Sequence, residues 1–133
     1  MQLRGGPGGP LGPRNAFARF RKEEIEQSIP KRFEQQVRTH PHRIAVKSRR
    51  HELTYYALNQ EANRVARAIL GQRGGRPEHV VVLMGSDAPA IAAILGILKA
   101  GKSYAPLDPL FPRKRLAHVI EDSQAGLIVT SSQ

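Results

Sequence analysis

Residues 98–116 read Leu-Lys-Ala-Gly-Lys-Ser-Tyr-Ala-Pro-Leu-Asp-Pro-Leu-Phe-Pro-Arg-Lys-Arg-Leu. Gly101 follows an apolar helical run and suits the left-handed position that closes a helix. Ser103-Tyr104-Ala105 is expected to be a short extended piece, because Pro106 disfavours the α region for the residue before it. Pro106, Pro109 and Pro112 fix φ at closely spaced positions and each removes a backbone donor. The stretch is therefore predicted to be a helix end, a short strand, a rigid bend and the start of a further helix near Pro112.

Working outward, Ala88–Ala100 is apolar nearly all round (Ile91, Ala92, Ala93, Ile94, Leu95, Ile97, Leu98). Such a helix is buried on more than one side, which predicts that it lacks cover on one side within a chain of this size. Before it, Val80–Met84 is the continuous apolar run of a strand buried on both faces of a parallel sheet. The intervening Gly85-Ser86-Asp87 opens a helix directly after a strand, a place where free amides can hold a phosphate. It lacks the lysine and second glycine of a phosphate loop, and capping by Ser86 or Asp87 is the simpler expectation. On the other side, Leu116, Val119 and Ile120 share one helical face. Arg113, Lys114 and Arg115 crowd that helix's first turn, where the dipole disfavours cations. Asp122-Ser123-Gln124 ends it, and Gly126–Thr130 reads as another buried strand that leaves an open sheet edge. An uncovered helix and a bare edge predict poor solubility or loose packing for the isolated chain.

Toward the amino end, Thr54 is expected to cap a long helix whose apolar face is Leu58, Ala62, Val65, Ala66 and Ile69, closed by Gly71 and Gly74-Gly75. Arg43–Lys47 and Glu52–Thr54 read as a hairpin around Ser48-Arg49-Arg50-His51. Ser28 is the expected cap of an earlier helix carrying Ile29, Phe33 and Val37 on one stripe and ending before Pro41. Asn15–Gln27 is expected to be a frayed helix, and Met1–Arg14 is rich in glycine and proline with nothing to bury. These readings divide the chain into a disordered, basic leader over 1–27 and a domain over 28–133. The order of elements gives an α/β fold with helices on both faces of a parallel sheet, a three-layer arrangement that is incomplete.

The stretch at 98–116 also resembles the second core motif of the adenylation domains of nonribosomal peptide synthetases. Leu98, Lys99, Ala100, Gly101, Tyr104, Pro106, Leu107, Asp108, Pro109, Pro112, Arg115 and Leu116 match. The first core motif of that family is resembled by Leu53-Thr54-Tyr55 and Leu58-Asn59, continuing into Ala62-Asn63-Arg64. Ala57 departs from the family's glutamate, which would close a capping box with Thr54. The likeness runs from about Ile29 onward. It implies the N-terminal part of the adenylate-forming enzyme fold, in a family that uses ATP and Mg²⁺ to turn an amino acid into an aminoacyl-adenylate. The acyl group then passes to a phosphopantetheine thiol on a carrier protein. No residue here matches a catalytic, cofactor-binding or metal-binding position of that family. Its phosphate loop would begin just beyond Val129-Thr130-Ser131-Ser132, and its catalytic lysine lies later still. The resemblance implies a fragment of an amino-acid-activating domain, inactive alone, with the rest of a synthetase or a carrier protein as partner. The start of an acyl-CoA ligase of the same superfamily is the alternative.

Composition sets further bounds. The chain has 133 residues and no cysteine, which excludes disulfides, thiolate metal sites and a thiol nucleophile. The longest apolar run, Ala88–Leu98, is too short to span a bilayer. The leader is broken by Gly and Pro where a signal peptide needs an apolar run, so a cytoplasmic location is expected. The net charge is +10, and residues 1–50 hold 12 Lys/Arg against 4 Asp/Glu. Lys31–Arg50 carries most of this excess, which admits a small basic nucleic-acid-binding module as a reading from another class. A solvated face explains the same charge. His40 and His42 flank Pro41, a spacing open to a metal but without a third ligand nearby. Asp108, between Leu107 and Pro109, reads as a turn acceptor rather than a reacting carboxylate.

Overall fold

A computed structural model describes residues 21–131. After a 3₁₀ turn (Lys22–Glu26), the chain forms α1 (Ile29–Thr39), β1 (Ile44–Lys47), β2 (Glu52–Thr54), α2 (Tyr55–Arg73), β3 (His79–Leu83), α3 (Ala88–Lys99), β4 (Ser103–Leu107), α4 (Arg113–Ser123) and β5 (Leu127–Thr130). Of the leader expected over 1–27, residues 1–20 lie outside the described residues. The 3₁₀ turn is joined to α1 by Glu24, whose carboxylate pairs with Arg32 at 2.5 Å.

β1 and β2 make an antiparallel hairpin, and β4, β3 and β5 make a parallel sheet with β3 in the middle. Val80, Val81 and Val82 of β3 are 0%, 0% and 2% exposed. Side chains alternate along a strand, so Val80 and Val82 face one helical layer and Val81 the other. The first layer is α2 and α3: Ala66 and Ile69 of α2 and Ala93, Ile97 and Ala100 of α3 form one core with Val80 and Val82. A right-handed connection from β4 across β3 to β5 carries α4 over the opposite face, where Val81 points. The expected three-layer α/β arrangement is thus present.

The caps follow the residues marked for them. Ser28 Oγ accepts from Lys31 N and Thr54 Oγ1 from Ala57 N. Gly101 closes α3 at φ +73°. Three expectations are corrected. α2 runs through Gly71 to Arg73 and ends at Gly74, φ +66°; a lone helical glycine costs only about 1 kcal/mol against alanine, and a left-handed residue is what stops the helix. β4 runs through Pro106, which pairs with Val82. Ser103 N donates to Glu78 O, so alternation turns the 103, 105 and 107 positions toward β3 and Pro106's missing donor outward, where a sheet tolerates it. Third, α3 is covered by this chain's own elements. Ala92 and Leu95 form a second core with Leu58 and Ala62 of α2, sealed by Phe33 of α1 and by Ala45, Val46 and Leu53 of the hairpin. Ile91 is the one large residue of α3 left exposed, at 39%. The open edge expected at β5 is present, since β5 has one partner strand among the described residues.

α2 and α3 approach closely because Gly96 has no side chain. A Cβ there would lie 2.6 Å from Val65 Cβ and 2.7 Å from the Ala62 carbonyl oxygen. The carbonyl is backbone and cannot turn aside. Gly96→Ala is therefore expected to destabilise the chain by about 1–3 kcal/mol, despite the better helix propensity of alanine, with α2 forced outward. Urea unfolding followed by circular dichroism measures this, and an unchanged or raised midpoint contradicts the packing described.

Candidate functional site

In an open parallel sheet, ligands lie outside the carboxyl ends of the strands, where neighbouring connections leave for opposite faces. Here that place is between β3, which leads to α3, and β4, which leads to α4. It is bordered by Met84–Asp87, by Asp108–Pro112 and, after β5, by Ser131.

The Met84–Asp87 turn is occupied by its own chemistry. Asp87 caps α3: Oδ1 accepts from Ala88 N at 2.7 Å, and its backbone carbonyl accepts from Ala90 N. Its Oδ2 lies 2.9 Å from His51 Nδ1 on the β1–β2 turn. A hydrogen bond from the Ser48 hydroxyl, then the Ala88 amide and His51, hold the Asp87 carboxyl below the usual aspartate range. A carboxylate that already takes the first amide of the helix repels a phosphate. The turn is a cap, as expected, and Asp87 rather than Ser86 supplies it.

The bend after β4 is equally self-contained. Asp108 Oδ1 accepts from Leu110 N at 2.9 Å and its carbonyl from Phe111 N at 3.1 Å. This is the turn-acceptor role anticipated for Asp108, and it holds Leu110 out at 88% exposure. α4 starts after Pro112 without a side-chain cap. Of the three cations in its first turn, Arg115 stacks its guanidinium 4.4 Å from the centre of the Phe111 ring, which offsets part of the unfavourable dipole.

Two lysines have roles that the sequence reading missed. Lys99, a matched motif position, is the one cation of α3. Its side chain is 7% exposed, its Nζ lies 2.5 Å from Glu34 of α1 and it sits over the Phe33 ring. A single lysine in the last turn of an apolar helix marks a partner across the interface, and that signal was available. Lys102 is buried at the start of β4; its partners come from the loop before β3, and nothing local announces them. His40 and His42 stay in the turn after α1, and among the described residues no three His, Cys, Asp or Glu converge to hold a metal. An open hollow of about 520 Å³ is built by the 3₁₀ turn and α1, not by the strand ends. The described residues do not fit ATP or Mg²⁺ on their own: the turn between β3 and α3 is closed by Asp87, and among the described residues no acidic cluster gathers that could hold the ion.

The chain matches the AMP-binding enzyme family over residues 33–133. It belongs to that family. Gramicidin S synthase 2 of Brevibacillus brevis is 41% identical over 107 residues, which is 80% of this chain and 2% of that protein. Tyrocidine synthase 3 of Brevibacillus parabrevis is 38% identical over 109 residues, 81% of this chain and 2% of that protein. The chain therefore spans 2% of the length of these curated relatives. Among solved structures, the nonribosomal peptide synthetase FmoA3 in its AMPPNP-bound form superposes with a TM-score of 0.72 at 38% identity, over 77% of this chain and 11% of that one. A four-domain nonribosomal peptide synthetase bound to AMP and glycine gives 0.74 at 30% identity, over 80% and 8%. The parallel-sheet segment of this AMP-binding family member is thus an N-terminal part of the adenylation fold. Neither the acyl-CoA ligase alternative nor the basic nucleic-acid-binding module is favoured by these relatives. No helix among the described residues is long and apolar enough to cross a membrane.

The Asp87–His51 contact fastens the hairpin to α3. Asp87's pKa is lowered from 3.8, so its stabilising contribution is present above that value and is lost as pH falls through the lower folded-state value. Asp87→Asn is expected to lower the thermal midpoint at pH 7, with the gap to the parent chain narrowing as the pH is taken below 3.8. Melting curves across that range test it; a gap independent of pH contradicts it.

Proposed function

We propose that residues 28–133 are the opening part of an amino-acid-activating adenylation domain. In that reaction the amino acid's carboxylate attacks the α-phosphorus of ATP, pyrophosphate leaves, and the aminoacyl group of the resulting adenylate passes to a carrier-protein thiol with release of AMP. The observation that carries the reading is the joint match of sequence and fold to nonribosomal peptide synthetases, 38% identity at a TM-score of 0.72 over 77% of the chain. ATP, Mg²⁺, the amino acid and the carrier protein are the implied partners, and the cytoplasm the implied location.

The chain's own contribution is scaffolding. β3 and β4 set two loop ends side by side, the proline-fixed bend at Asp108–Pro112 holds one of them rigid, and Lys99 fastens α1 to α3. None of these groups is assigned a proton or a bond to make.

A chimera tests the reading. An active peptide-synthetase adenylation domain whose matching segment is replaced by residues 33–133 of this chain is expected to keep amino-acid-dependent exchange of pyrophosphate into ATP within about tenfold. Its amino-acid preference is expected to be unchanged, and the 133-residue chain alone is expected to give no exchange. A folded chimera with no exchange, or exchange by the chain alone, overturns the proposal.

A further inference from the structure

The apolar pattern of the parallel sheet does not by itself specify how its strands line up. β3 is His79-Val80-Val81-Val82-Leu83 and β5 is Leu127-Ile128-Val129-Thr130. A slip of one residue would exchange the two faces, but a slip of two toward the carboxyl end of β3 keeps each face and sets Leu127 beside Val82 and Ile128 beside Leu83, aliphatic against aliphatic. β4 resists little more, since Ser103, Ala105 and Leu107 share the face of Val81 and Leu83.

Polar groups are concentrated at the amino ends of these strands instead. Ser103 is paired with His79, which places Lys102 opposite Glu78. The Lys102 side chain is 0% exposed, its Nζ donates to the Arg76 carbonyl at 2.7 Å and lies 3.1 Å from Glu78 Oε1. From the end of α2, Arg73 donates to Glu78 Oε2 at 2.8 Å through Nη2 and to both oxygens at 3.2 Å through Nε. His79 Nδ1 and Ser103 Oγ are 2.6 Å apart. β5 enters at the same point: a Cβ on Gly126 would overlap the Arg73 guanidinium and come within 2.9 Å of Glu78 Oε2. Hydrogen bonds from Arg73 first and Lys102 second hold the Glu78 carboxyl down to about 2, so it remains an anion at ordinary pH.

We propose that the Arg73–Glu78–Lys102 cluster is a register key, which fixes the alignment of β4 against β3 where the apolar side chains of the two strands cannot. A slip of two residues toward the carboxyl end of β3 would set Lys102 beside Val80, leaving an ammonium buried among valines with no counter-charge. The opposite slip would set it beside Arg76, against a like charge. A buried ion pair adds little net stability compared with an apolar replacement, yet it penalises every arrangement that separates its members. The key acts through the sheet and touches none of the loops at its carboxyl end. It keeps Met84–Asp87 beside Asp108–Pro112.

Lys102→Met removes the charge while keeping an unbranched apolar stem. In the isotopically labelled 133-residue chain, nuclear Overhauser contacts between the Val81 and Ala105 methyls and between the Leu83 and Leu107 methyls report the observed alignment. The parent is expected to show one set. Lys102→Met is expected to keep its helical circular dichroism and its thermal midpoint, but to lose about half or more of the intensity of that set and gain a second. Glu78→Gln preserves shape but leaves the buried Lys102 ammonium without its counter-charge, so it is expected to lower the thermal midpoint as well as to weaken the parent set. Retention of the single parent set in Lys102→Met overturns the proposal. So does unfolding of both variants, which assigns the cluster to stability and not to alignment.

Discussion

Val80, Val81 and Val82 leave water almost completely on both sides of one strand, and the remaining elements are arranged around that constraint. A strand whose faces are both apolar needs a layer on each face. Parallel neighbours supply the layers, because each crossover between them carries a helix. α3 lies on one face as the link from β3 to β4, and α4 crosses the other as the link from β4 to β5. α2 joins α3 because Gly96 lets the two helices approach to backbone contact with Ala62. α1 and the hairpin then shelter the outer side of that helix pair, where Leu58, Ala62, Ala92 and Leu95 form a second core.

The motif at residues 98–116 takes on physical content in this setting. Lys99 reaches Glu34 across a helix interface. Gly101 adopts the left-handed turn that redirects the chain into β4. Asp108 orders its bend through Leu110 N, and Arg115 settles on Phe111. Each is held by a partner within the chain. The bend sets two loop ends beside each other at the carboxyl edge of the sheet, and its few accessible conformations keep the entropic cost low.

Ionic contacts divide by location. At the carboxyl end, Asp87 serves its own helix and joins the hairpin through His51. At the amino end, Glu78 collects α2, β3 and β4 through Arg73 and Lys102, with Gly126 of the β5 approach packed against them. The basic stretch Lys31–Arg50, conspicuous in the sequence, makes surface pairs such as Lys47 with Glu52, with both partners largely exposed, and pairs of that kind contribute little.

The sequence by itself determined the element order, the α/β class, the caps at Ser28, Thr54 and Gly101, the turn role of Asp108 and the family likeness, because each depends on residues near one another along the chain. It placed the end of α2 at Gly74 but also, wrongly, at Gly71, and it misjudged the end of β4 at Pro106 and the cover of α3. A glycine stops a helix only where φ turns positive, a proline ends a strand only where its donor is needed, and an apolar face is bare only if no distant segment returns to it. Only the tertiary structure decided those points, and only it brought Lys102 to Glu78 and Lys99 to Glu34. A buried charge is specified by partners 24 and 65 residues away, and no local pattern encodes such a distance.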